Sequence, residues 1–168
     1  MAAVAAYFEK KGIPAVTEVA DLPNIKKIAQ ETYLTEAVPA VRTVFIPPSR
    51  WVEKVSEEDL PKFLEALTKP LTDAEKRSGK YKPPEAPLPE IDTKALAPRL
   101  SSFAGKTIII YDNHGGYEKP MAGLAAQLKP LLPADTKIIY YSPTTTTWTP
   151  DDQKMIPKAD AAIVGHGY

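Results

Sequence analysis

Residues 108–111 read Ile-Ile-Ile-Tyr, apolar at every position rather than at every second one. A strand without alternation is covered on both faces, and helices provide that cover most readily around a parallel sheet. Similar short runs fall at 13–19, 41–46, 137–141 and 161–164, and helix-patterned stretches lie between most of them. Strands alternating with helices imply an α/β fold built on a parallel sheet.

The first half, residues 1–68, opens with a helical tail over 1–11, closed by Gly12. Asp21 is a candidate cap for a helix through Thr35, with Ile25, Ile28, Ala29, Thr32 and Tyr33 on one face. A further helix carries Leu60, Phe63, Leu64 and Leu67, with Asp59 or Ser56 as its cap. Pro61 favours Asp59, because proline suits a first turn. Residues 69–100 form a connector whose 81–89 segment is rich in proline and therefore expected to be extended, as an arm packed on the surface. In the second half, 101–168, a helix carrying Met121, Leu124, Ala125 and Leu128 follows the first strand, and a short helix is expected near 150–155. The first half lacks a strand before its first helix, and the second lacks a helix after its last strand. Joining the end to the beginning completes a doubly wound parallel sheet of about five strands.

Composition narrows the function classes. Lys and Arg number 21, as do Asp and Glu, so binding nucleic acid through bulk positive charge is not expected. No apolar run approaches the length of a membrane span, and Met1-Ala-Ala-Val-Ala-Ala has no basic lead-in to a signal peptide, so a cytoplasmic location is expected. Without cysteine, the chain can supply no disulfide, thiolate metal ligand or thiol nucleophile. It has no G-x-G-x-x-G and no Walker sequence, so no cofactor is expected.

In an open parallel sheet, ligands bind beyond the carboxyl ends of the strands. Asp112-Asn113-His114 follows the first strand of the second half, and Gly165-His166-Gly167-Tyr168 follows its third. His114 and His166 suit proton transfer near neutral pH, or are hydrogen-bonded loop histidines. Asp112 and Asn113 orient a ligand, or cap the next helix. Trp148 walls a pocket or anchors its loop; Arg50 pairs with a carboxylate or phosphate, or with a surface acid. The spacing of the two histidines and Asp112 fits no known metal motif, so no metal is expected.

Several of these segments resemble, in swapped order, the small α/β family named for its UGSC motif, Cys- or selenocysteine-Gly-Ser-Cys. Ile108-Ile-Ile-Tyr-Asp-Asn113 resembles the family's opening strand, and Ala159-Asp-Ala-Ala-Ile-Val-Gly-His-Gly167 the segment before its motif. Phe8-Glu-Lys-Lys-Gly-Ile-Pro-Ala-Val16 resembles the segment after it, and Val44-Phe-Ile-Pro-Pro48 a later strand where the usual His-Pro is Pro-Pro. The resemblance implies a flavodoxin-like doubly wound fold, either closed within this chain or completed by or shared with a partner chain. The motif itself is absent.

The resemblance therefore implies a subunit of a hetero-oligomeric enzyme acting on a small molecule, an oxidoreductase or a lyase or hydrolase. A partner chain would supply the reactive thiol. Asp112, His114 and His166 would then be catalytic, and Asn113, Gly165, Gly167, Tyr168, Trp148 and Arg50 would bind substrate. Two other readings are a self-contained hydrolase or lyase using Asp112, His114 and His166, and a non-catalytic scaffold subunit.

Overall fold

The computed structural model describes residues 1–47, 55–83, 89–112, 120–143 and 149–165. In chain order the elements are α1 (Ala2–Lys10), β1 (Ala15–Ala20), α2 (Pro23–Thr35), β2 (Arg42–Ile46), α3 (Leu60–Thr68), β3 (Gly79–Tyr81) and β4 (Ile91–Thr93). They continue with β5 (Thr107–Asp112), α4 (Pro120–Leu128), β6 (Lys137–Tyr141), α5 (Pro150–Gln153) and β7 (Ala161–Gly165).

Five of the strands form one sheet in the order β2-β1-β7-β5-β6, with every neighbouring pair parallel. Counting from β5, this is second-first-third-fourth-fifth, the flavodoxin-like order of doubly wound sheets. β7 pairs with β5 on one side and β1 on the other, so the two halves of the sequence share a single sheet. All five strands come from this one chain. The chain runs outward from β5 to β6 and then crosses back to β7, which makes the β5/β7 boundary the topological switch point.

Alternation along the strands sends side chains into two cores. Ile109 and Tyr111 of β5 join Val4, Phe8, Val19 and Tyr33 under α1 and α2. Ile108 and Ile110 join Val16, Phe63, Leu67, Met121, Leu124 and Leu128 under α3 and α4. Ile108–Tyr111 are completely buried, as strands covered on both faces require.

The helix ends follow local chemistry, with departures at the starts of α2 and α3. After α1, Gly12 takes φ +81°, its N–H reaches the Glu9 carbonyl, and the Ile13 N–H reaches that of Phe8. The same pair of bonds closes α2, but there the left-handed position is Ala37, at φ +65°. Asp59 stands at the N-cap position of α3, but its side chain makes no capping hydrogen bond and engages Ser56 and Lys62 instead. Asp21 does not cap α2: Leu22 occupies the N-cap position, Pro23 starts the helix, and Asp21 pairs with Lys26 instead.

Part of the connector forms regular structure. β3 and β4 pair antiparallel as a short hairpin, while 84–88 lies outside the described residues. Beyond β4, Leu96 and Ala97 are buried. The buried Glu9 carboxylate accepts from the Ala15 N–H at 2.7 Å, the Ala97 N–H at 2.6 Å and Arg99 Nη1 at 2.7 Å, tying α1, the start of β1 and the connector together. At the sheet edge, Arg42 of β2 holds Glu75 through both carboxylate oxygens and donates to the carbonyls of Ala66, Lys69 and Pro70. Among the described residues no helix is long and apolar enough to cross a membrane.

Candidate functional site

The strand register places three residues in a row at the carboxyl end of the sheet. Asp112 of β5 is paired with Gly165 of β7. Thr17 of β1 is paired with Val164 of β7, so Glu18 is level with Gly165 on the other side. Neighbouring strands are about 4.8 Å apart, which puts Asp112 and Glu18 on backbones about 10 Å apart with a glycine between them. Both side chains point to the α3/α4 face, because each is two residues beyond a residue of that core, Ile110 and Val16 respectively.

Gly165 makes this convergence possible. A Cβ built there would lie 2.4 Å from Met121 Cε, 2.5 Å from Met121 Sδ and 2.9 Å from Glu18 Oε2. The space a side chain would take is filled by the Met121 thioether and the Glu18 carboxyl, which are therefore neighbours above the glycine. The sequence points to Gly165 as a place where backbone approaches a ligand. The structure places a carboxyl and a thioether there.

Asp112 is completely buried. Its Oδ2 accepts from the Tyr140 hydroxyl at 2.7 Å and from the Met121 N–H, in the first turn of α4, at 3.3 Å. It thus anchors the start of α4 while standing at the switch point. Burial and the bond to Asp112 push the Tyr140 hydroxyl well above its ordinary range.

Glu18 differs from Asp112 in its surroundings. It is 6% exposed, and Oε2 has no hydrogen-bond partner. Burial, then the charge of Asp112, then that of Asp59 push its carboxyl up to about 7. A carboxyl held there is about half protonated at neutral pH and can give or take a proton. Asp59, itself buried at the start of α3, accepts from Ser56 Oγ at 2.6 Å and pairs with Lys62.

A second polar group occupies the opposite face at the same end of the sheet. The Tyr141 hydroxyl donates to Asp152 Oδ1, while Asp152 Oδ2 accepts from the Thr149 N–H and hydroxyl, fixing α5 to the end of β6. Tyr141 is pushed up to about 12, by burial and by that bond. The Tyr111 ring packs against it, with centroids 5.6 Å apart.

Of the candidates from the sequence, Asp112 and Gly165 are thus neighbours in one site. Asn113, His114, His166, Gly167, Tyr168, Trp148 and Arg50 lie outside the described residues. Glu18 was missed. The available signal was one glutamate in the otherwise uncharged strand Ala15-Val-Thr-Glu-Val-Ala20, whose six positions are all buried. A lone acid near the carboxyl end of such a strand is costly to bury and stands where parallel sheets bind ligands.

Among the described residues no group of three or more His, Asp or Glu is arranged to hold a metal ion. Compared with known proteins, the chain matches no family model, no curated protein and no solved structure.

Proposed function

We propose that this chain is a cytoplasmic enzyme acting on a small molecule by proton transfer, of the lyase or hydrolase class, with Glu18 and Asp112 as its acid/base pair. One observation carries the reading. Two buried carboxyl groups flank Gly165 at the switch point of a parallel sheet, and their surroundings differ, leaving Glu18 to titrate at about 7. Glu18 is the proton donor or acceptor. Asp112, held by Tyr140 and the start of α4, is the fixed charge that orients substrate. In this reading His114 and His166, which follow Asp112 and Gly165 closely in sequence, add a second proton-transfer group. Asn113, Gly167, Tyr168, Trp148 and Arg50 bind substrate.

The resemblance to the UGSC-motif family supports a different reading, in which a partner chain brings a thiol to this site. That reading stands on the resemblance alone. The sheet itself takes all five of its strands from this one chain.

The test is turnover by the isolated chain on a panel of small esters, amides, hydroxy acids and amino acids. The expected rate changes through about pH 7 and falls by about 10²–10⁴-fold in Glu18→Gln and in Asp112→Asn. Turnover that requires a second, cysteine-bearing chain favours the thiol reading. Unchanged rates in both variants refute the acid/base pair.

A further inference from the structure

We propose that the Glu18–Asp112 site takes a ligand bearing a protonated primary amine, with the ammonium seated against Glu18 in the space above Gly165 that the Met121 thioether now fills. This rests on the site described above and names the class of molecule it receives.

Among the described residues, Glu18 is faced by Asp112 from β5, Asp59 from the start of α3, Met121 from α4 and a glycine from β7. Two of these are acids and two are apolar. Lys62 is engaged with Asp59, and its side chain is 55% exposed. Nothing among the causes acting on Glu18 favours its charged form. Its Oε2 is buried and lacks a donor. A buried carboxyl oxygen with acidic neighbours gains most from a group that brings both a hydrogen-bond donor and positive charge. An alcohol brings only the donor. A carboxylate or phosphate is repelled. An ammonium has three donors, enough to bond Glu18 and still reach toward Asp112.

Room for it has to come from the Met121 side chain, not from the backbone. The atoms nearest the absent Gly165 side chain are the sulfur and terminal methyl of Met121, the far end of an unbranched, soft side chain. Turning that end aside opens the space between the carboxyl groups.

Proton linkage gives the proposal its signature. Glu18 must ionise to hold an ammonium, so binding below its pKa of about 7 releases a proton. Affinity is expected to rise about tenfold per pH unit between roughly 5 and 7, then level off until the amine itself loses its proton near pH 10. Among the described residues, the other titratable groups facing the site are Asp112, Asp59 and, through Asp112, Tyr140.

The experiment is an NMR titration of the full chain with butylamine, butan-1-ol and butyrate, following the Glu18 and Asp112 carboxyl carbons and the Gly165 amide. Butylammonium is expected to shift these signals saturably and at least about tenfold more tightly than either isostere. Glu18→Gln should weaken it about tenfold or more, and Met121→Ala, by clearing the space, should strengthen it. Equal binding of butanol or butyrate overturns the proposal. So does undiminished binding in Glu18→Gln, or no shift at these signals up to about 0.1 M amine. A ligand-free titration of the Glu18 carbon separates this proposal from the reading beneath it. Titration near 7 without amine binding defeats the amine alone, whereas titration in the ordinary carboxylate range defeats the acid/base role of Glu18.

Discussion

Replacing Glu18 by Gln should stabilise the protein, increasingly so as pH rises. The carboxyl titrates near 4.5 in an unfolded chain and at about 7 in the fold, where burial and then Asp112 and Asp59 disfavour its charge. Below about pH 4.5 it is neutral in both states and contributes nothing through ionisation. Between about 4.5 and 7 the unfolded chain ionises while the folded one keeps its proton, so stability falls as pH rises. Above 7 the folded state carries the full penalty. Each pH unit of displacement is worth about 1.4 kcal/mol, so the penalty reaches about 3 kcal/mol. Gln keeps the shape of the side chain and removes the charge. Urea unfolding of both proteins at intervals from about pH 5 to 8 measures the difference. The expected gap widens from about 1 kcal/mol at pH 5 to about 3 kcal/mol at pH 8 in favour of Glu18→Gln. Parallel curves, or a gap that closes as pH rises, would refute the reasoning. Either result means that Glu18 is solvated or paired in the fold, and the acid/base pair loses its basis.

Three further outcomes follow from the packing. Gly165→Ala should cost about 1–3 kcal/mol in urea unfolding, because the new Cβ meets Met121 and Glu18. Combined with Met121→Ala it should cost less than the two single changes added, and strict additivity would contradict the crowding. Arg99→Ala leaves the buried Glu9 carboxylate without its counter-charge and should cost about 3–5 kcal/mol by the same assay, whereas Glu9→Gln with Arg99→Met should cost far less. Ala37→Gly should raise the stability by about 1 kcal/mol, since residue 37 stands at φ +65°, where a side chain is strained. A lowered thermal midpoint would count against that strain.

Much of the fold was legible because burial leaves marks on short stretches of sequence. Ile108–Tyr111 is apolar throughout and forms the central strand β5. Gly12 marked the end of α1 because the closing turn demands a left-handed residue. The hairpin of β3 and β4 was not legible. Gly-Lys-Tyr and Ile-Asp-Thr are too short and too exposed to show alternation, and the prolines between them suggested an extended arm instead. The anchoring of the connector was equally hidden, since Glu9 and Arg99 are far apart in sequence and each alone reads as a surface charge.

The candidate site divides along the same line. Position after a strand was enough to single out Asp112 and Gly165, because parallel sheets expose ligands to the carboxyl ends of their strands. Glu18 needed more. Its strand meets Gly165 only through the pairing of β1 with β7, which joins residues 17 and 164. The sequence by itself determined the five strands of the main sheet and the helices between them, since periodicity and turn chemistry act between near neighbours. Only the tertiary structure decided that a glutamate from one half and an aspartate from the other face each other across a glycine. Register and long-range charge are properties of strands brought together, and no local stretch of chain encodes them.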